Sequence, residues 1–187
     1  KIKGFKVVMT DEEKQWNVGS EPMRDGIDVS YHNGSINWDK VTANFTIIRL
    51  GYGDNISSQD DKQFFSNVRG CMNKGIPFGV YIYSYATKMY GPSSIESEVA
   101  HAKRLLSQIE GKPFCVYIDM EDDSTICVGR DTLSSFALKF CEYIEKSGYK
   151  AGVYANENWF RNYLGARELY NKGYSLWVAK YNLIQPN

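Results

Sequence analysis

Tyr117-Ile118-Asp119-Met120-Glu121-Asp122 closes an apolar run that begins at Pro113. Read as a β-strand over 114–121, it puts Asp119 and Glu121 on one face, because side chains alternate along a strand. Charged groups ending an apolar strand are costly to bury without a partner or a use. The run therefore reads as an interior strand, and its carboxyl end as the first candidate for a site.

Working outward, similar strands recur on both sides. Gly26-Ile27-Asp28-Val29-Ser30 is a short one, and Phe45-Thr46-Ile47-Ile48-Arg49-Leu50 a strong one running into Gly51-Tyr52-Gly53. Phe78-Gly79-Val80-Tyr81-Ile82-Tyr83-Ser84-Tyr85 fills 77–86, Ala151-Gly152-Val153-Tyr154-Ala155 lies in 150–156, and Ser175-Leu176-Trp177-Val178-Ala179-Lys180 in 174–181. Helical patterns fall between them. The segment 60–75 carries Phe64, Phe65, Val68, Cys71 and Met72 on one side, with Gly75 as C-cap. The segment 94–109 buries Ile95, Val99, Ala102, Leu105, Leu106 and Ile109, which leaves His101 for the surface. Leu133, Phe136, Phe140 and Ile144 mark a helix over 131–147, stopped by Gly148, and brief helices suit 38–41 and 159–164.

Strands alternating with amphipathic helices, over connections too long for hairpins, predict an α/β fold with a parallel sheet covered on its faces. No GxGxxG or P-loop appears, which disfavours a nucleotide fold. Polar or aromatic residues stand at the carboxyl end of strand after strand: Asp28 and Ser30, Arg49 and Tyr52, Tyr83 and Tyr85, Asp119 and Glu121, Tyr154 and Asn156, Trp177 and Tyr181. A (β/α) barrel gathers all such ends at one mouth, whereas an open doubly wound sheet gathers only those beside its switch point. The pattern favours an irregular TIM-like barrel. Residues 1–25 are polar and weakly periodic, and read as an arm or linker to a domain over 26–187; Thr10-Asp11-Glu12-Glu13 resembles a capping box opening a short helix through Trp16.

Composition narrows the classes of function. Twenty-two basic residues balance twenty-two acidic ones, so charge gives no sign of nucleic-acid binding. No stretch approaches the roughly 20 apolar residues of a membrane span, and the first residues are too short and interrupted for a signal peptide. Fourteen Tyr, nine Phe and four Trp are many, and such flat faces with polar handles suit sugar rings as well as cores. Cys71, Cys115, Cys127 and Cys141 form no CxxC pair or Cys/His cluster, so no metal site is expected; buried free thiols are favoured, with a bond from Cys115 to Cys127 left open. Three Asn-X-Ser/Thr sequons, at Asn33, Asn44 and Asn55, are what chance supplies in an Asn-rich chain.

A barrel mouth would collect three carboxylates, Asp28, Asp119 and Glu121. Crowding holds at least one of them protonated by like-charge repulsion. An acid beside a carboxylate, lined with Tyr and Trp, is the apparatus of glycoside hydrolysis. No Ser or Cys stands in a nucleophile elbow, and His32 and His101 do not form a base or metal pair. Plainer readings compete: 119–123 as a solvated acidic loop or an oxygen-ligand cation site, Asp28 as a helix cap, and the aromatics as core.

Taken together and in order, the six strand motifs resemble glycoside hydrolase family 25, the Chalaropsis-type lysozymes or N-acetylmuramidases of bacteria and their phages. The resemblance covers roughly residues 26–182. It implies a flattened, irregular barrel and cleavage of the β-1,4 bond between N-acetylmuramic acid and N-acetylglucosamine, with peptidoglycan glycan strands as partner and no cofactor. It implies Glu121 as general acid/base, Asp119 as the carboxylate that orients the substrate's 2-acetamido group, and Asp28 as the first-strand acid. Arg49, Tyr52, Tyr83, Tyr85, Tyr154, Asn156, Trp177 and Tyr181 would line the groove. The working place would be the cell wall or the exterior, reached by secretion or by release of a phage endolysin. Family members continue past the Trp-Val-Ala strand, whereas this chain stops at Gln185-Pro186-Asn187. The expectation is an incomplete barrel, either open with weakened activity or paired with a second chain. A chitinase-like hydrolase is the nearest alternative, although Tyr117 stands where its longer acidic run needs an acid; a non-catalytic wall-binding domain is the other.

Overall fold

In the computed structural model, which describes residues 4–5 and 25–179, seven strands form one sheet: β1 (Gly4–Phe5), β2 (Gly26–Val29), β3 (Phe45–Tyr52), β4 (Phe78–Tyr83), β5 (Val116–Asp119), β6 (Ala151–Asn156) and β7 (Ser175–Ala179). Five helices accompany them, α1 (Phe64–Lys74), α2 (Ile95–Leu106), α3 (Arg130–Lys146), α4 (Glu157–Asn162) and α5 (Ala166–Asn171). The spatial order of the strands is their chain order, β1 to β7. From β2 onward every pairing is parallel, and only β1 is antiparallel, laid on β2. A doubly wound sheet reverses its strand order at a switch point; this one never does, so its winding is that of a barrel.

Two rings measure the curl. Tyr81 of β4 and Trp177 of β7 have centroids 5.9 Å apart. Three strand spacings would separate those strands by roughly 14 Å in a flat sheet. The sheet therefore bends inward into a partial barrel.

Alternation sorts the side chains into two cores. Val29, Ile48, Leu50, Val80, Ile82, Val116, Ile118, Val153 and Ala155 face outward and are buried beneath the helices. Ile47, Cys115, Tyr117 and Trp177 face inward with Phe45, Tyr81 and Tyr154, and fill the barrel floor. Ile118 is fully buried in the outer core, where truncation to Ala costs about 2–5 kcal/mol. Gly152 lets the floor close: a Cβ there would stand 2.6 Å from the Tyr117 ring and from the Ser175 carbonyl oxygen. The register shifts between Arg49 and Gly51, a bulge at the mouth end of β3.

Helix limits follow their caps. Ser94 accepts from the Ser97 amide to open α2, and Gly75, at φ 65°, closes α1 in the left-handed region that favours glycine. Helix α1 begins at Phe64 rather than at residue 60, because Asp60 and Asp61 are engaged in ion pairs. Its predicted apolar side is also narrower than expected. Phe64, Val68 and Cys71 are buried, whereas Phe65 and Met72 are exposed, since they lie one position off the stripe that meets β3. Helix α5 has no counterpart in the sequence expectations. The helix expected from Thr10 to Trp16, and Tyr181, lie outside the described residues.

Candidate active site

Asp119 is the last residue of β5 and points inward, where it is 4% exposed. Its Oδ1 has no hydrogen-bond partner. Burial drives its proton affinity well above the ordinary carboxylate range, and the neighbouring charges of Glu121 and Asp28 add to the rise; Arg49 opposes it. The strand expected over 114–121 ends here, so Glu121, two residues on, lies just past it; it is half-buried, and its charge is felt at Asp119. Burial raises its proton affinity too, against hydrogen bonds from Asn156 and Tyr154. Asp28 of β2 completes the group, its charge felt at both Asp119 and Glu121. The predicted three carboxyls are thus brought into one field.

The β6 residues hold Glu121 from one side. Asn156 works at both ends, its Oδ1 accepting the Trp159 amide at 3.0 Å to cap α4 while its side chain also bonds Glu121. On the other side stands Arg49, reaching inward from β3 with its guanidinium 4.9 Å above the Tyr31 ring. Its Nε donates to Asp61 Oδ2 at 2.8 Å. Asp61 is buried and also accepts the amides of Tyr31 and Gln63, at 3.0 and 2.9 Å.

Tyrosines form the wall over β3 and β4. Tyr52 meets Tyr85 edge-on at 6.1 Å, and Tyr83 meets Tyr85 at 5.1 Å. Tyr83 Oη donates to Asp122 Oδ2 at 3.1 Å, which ties the wall to the loop just beyond Glu121. Burial and nearby carboxylates push the Tyr83 hydroxyl far up, so it stays a neutral donor. Asp122 also accepts the Ser124 amide at 3.0 Å and caps a 3-10 turn, Asp123–Val128. The segment after Glu121 is therefore an ordered cap and not a loose acidic loop. Trp177 lies in the floor, 5% exposed, against Tyr81, Tyr117 and, at 4.4 Å, Tyr154.

Three residues of consequence escaped the sequence reading. Asp61 looked like part of a helix. Glu98 passed unmarked on α2, and His101, expected at the surface, is fully buried. Its Nε2 lies 2.8 Å from Asp60 Oδ1 and its Nδ1 3.2 Å from the Gly53 carbonyl oxygen. The signal was present in the spacing, since 98, 101, 102 and 105 share one helical face with Ile95. All four cysteines are free; Cys115 is buried and Cys127 exposed. Among the described residues no group of three or more His, Cys, Asp or Glu is arranged to hold a metal ion, and no helix is long and apolar enough to cross a membrane.

The model of the glycosyl hydrolases family 25 matches residues 27–187. The chain belongs to that family. Among curated proteins it is similar to an autolytic lysozyme of Clostridium acetobutylicum, 27% identical over 165 residues. That match takes in 87% of this chain and 46% of the relative, so the chain spans about half of that protein's length. Among solved structures it is similar to the modular autolysin LytC of Streptococcus pneumoniae, with a TM-score of 0.74 and 28% identity over 88% of this chain and 39% of the other. LytC has also been solved with a synthetic peptidoglycan ligand. The catalytic domain of an endolysin from Listeria monocytogenes phage P40 shares the fold, with a TM-score of 0.67 at 22% identity over 89% of this chain and 78% of the other.

Proposed function

We propose that this chain is a muramidase that hydrolyses the β-1,4 bond between N-acetylmuramic acid and N-acetylglucosamine in bacterial peptidoglycan, with residues 26–187 as its catalytic domain. One observation carries this: Asp119, the last residue of β5, and Glu121, just past the strand's end, lie close enough to feel each other's charge, both with raised proton affinity, beside a wall of tyrosines. The family, and relatives named for autolysis and for a peptidoglycan ligand, support the choice of polymer.

Their closeness bears on mechanism. Two carboxyls gathered two residues apart at one strand end are badly placed to attack a sugar ring from opposite faces. A nucleophile supplied by the substrate's own 2-acetamido group removes that difficulty. In this scheme Glu121, half-buried and reachable, protonates the leaving oxygen and then activates water. Asp119 accepts the acetamido N–H and steadies the oxazolinium-like intermediate, so the configuration is retained. Asp28 shares the field that keeps a proton in the cluster, and Arg49, Tyr52, Tyr83, Tyr85, Tyr154 and Asn156 line the groove, while Trp177, expected beside them, is packed beneath in the floor and supports the lining rather than touching the glycan. The polymer places the activity at the cell wall, reached by secretion or by release from a lysed host.

The test is turbidity loss of a peptidoglycan suspension, followed by identification of the new reducing end. Muramic acid at that end supports the proposal. Glucosamine there, or binding without cleavage, sinks it. Glu121→Gln with near-wild-type lysis would refute the assignment of the acid.

A further inference from the structure

Helix α2 packs on the outer, apolar side of the sheet, yet Glu98 and His101 are buried in its inward face beside Ile95, Val99, Ala102 and Leu105. A carboxyl and an imidazole are costly there unless their polar atoms are answered. Each is answered by a segment that follows a strand. Glu98 Oε2 accepts the Ser84 hydroxyl and Oε1 the Tyr85 amide, both at 2.8 Å. The Ser84 Oγ in turn accepts the Ala86 amide at 3.3 Å. His101 spans the Gly53 carbonyl and Asp60, and Arg104 holds the same carboxylate through Nη1 at 3.0 Å.

These anchors reach the groove through the backbone. The Gly53 amide donates to the Tyr83 carbonyl, and the Ser84 amide to the carbonyl of Asp119 itself, both at 2.9 Å. Ser84 points outward to α2, so its neighbours Tyr83 and Tyr85 point inward. Tyr52 precedes the anchored Gly53. The residues held from outside the sheet thus alternate with the residues that make the wall.

We propose that Glu98 and His101 are positioning residues, which from the outer face of the sheet set the segments carrying Tyr52 and Tyr85 and so shape the wall against which the glycan lies. This rests on the groove being a glycan site. Burial pushes the Glu98 carboxyl up to about 8, so glutamine is its nearest mimic at neutral pH.

Three variants of the full chain test this: Glu98→Ala, Glu98→Gln, and His101→Gln, which keeps a donor for Asp60 but loses the reach to Gly53. Steady-state rates on soluble glycan strands are measured beside amide hydrogen exchange. Glu98→Ala is expected to raise KM about tenfold with kcat within about threefold, and to speed exchange at Ser84 and Tyr85. Glu98→Gln is expected to restore both, and His101→Gln to raise KM with faster exchange at Gly53. A folded Glu98→Ala with unchanged KM and exchange, or a Glu98→Gln as impaired as Glu98→Ala, overturns the proposal. If Glu98→Ala does not fold, Ser84→Ala removes one contact of the set; a smaller KM rise supports positioning and an unchanged KM overturns it. Amide exchange needs no substrate, so a chain that cleaves no peptidoglycan defeats the functional reading, while exchange still decides whether Glu98 and His101 set these segments.

Discussion

Arg49 Nε lies 2.8 Å from Asp61 Oδ2, so the guanidinium beside Asp119 already has a carboxylate of its own. Its pull on Asp119 is the smallest of the influences there, and Asp119 keeps its raised proton affinity. Asp61→Asn should release Arg49 toward the acids. The alkaline limb of the pH–rate profile is then expected to move to lower pH. Breaking a buried pair also costs about 3–5 kcal/mol, so the melting temperature should fall, by roughly 2–4 °C per kcal/mol at this chain length. An unmoved pH limb in a folded variant would show that Arg49 does not reach the acids.

Asp119 should cost the fold stability at neutral pH. Its folded form holds a proton above 3.8, the ordinary aspartate value, to which the unfolded form conforms. Across that window the folded state binds more protons, so stability declines as pH rises and levels off above the raised value. Asp119→Asn is therefore expected to abolish hydrolysis yet raise the melting temperature at pH 7. The gain should vanish near pH 3. Melting curves at the two pH values, in wild type and variant, check the sign.

For Glu121 the same direction of shift sets the working range. In the proposed mechanism the acid must carry its proton to protonate the leaving oxygen, so kcat should fall as pH rises through a value above 4.5, the ordinary glutamate figure. Asn156→Ala removes one of the hydrogen bonds that favour the charged form, and should push that fall to higher pH. It also removes the α4 cap, at about 1 kcal/mol. A profile unchanged in Asn156→Ala would detach Asn156 from Glu121.

Tyr83→Phe deletes one hydrogen bond, to Asp122. A loss of about 0.5–1.5 kcal/mol in stability is expected, with a drop in kcat/KM from the loosened loop after Glu121. Gly152→Ala is the harsher change, because its methyl meets a backbone oxygen as well as the Tyr117 ring. It should cost about 1–3 kcal/mol by overpacking, and a chemical melt showing no change would contradict the close approach.

The barrel was legible because outward-facing apolar residues alternate with inward-facing aromatic or polar ones along β3 to β7. Asp28, Asp119 and Glu121 could be found for the same reason: a charge ending an apolar run stands out. His101 and Glu98 do not stand out that way: their spacing puts them on the buried face of α2, but the partners that answer them there lie 13 to 48 residues off, at Tyr85 and Gly53. Phe65 and Met72 misled in the opposite sense, being apolar residues beside a buried stripe and not on it. Asp61 was hidden by an acidic run that imitates a helix start.

The chain-order sheet has a consequence for how the molecule is made. Each strand pairs with the one synthesised just before it, so the sheet can grow behind the ribosome without waiting for distant partners. Asp28 is in place early, and meets its like charges only when β5 docks. The electrostatic cost of assembling the acid cluster thus falls late, on a sheet already half built and able to bear it.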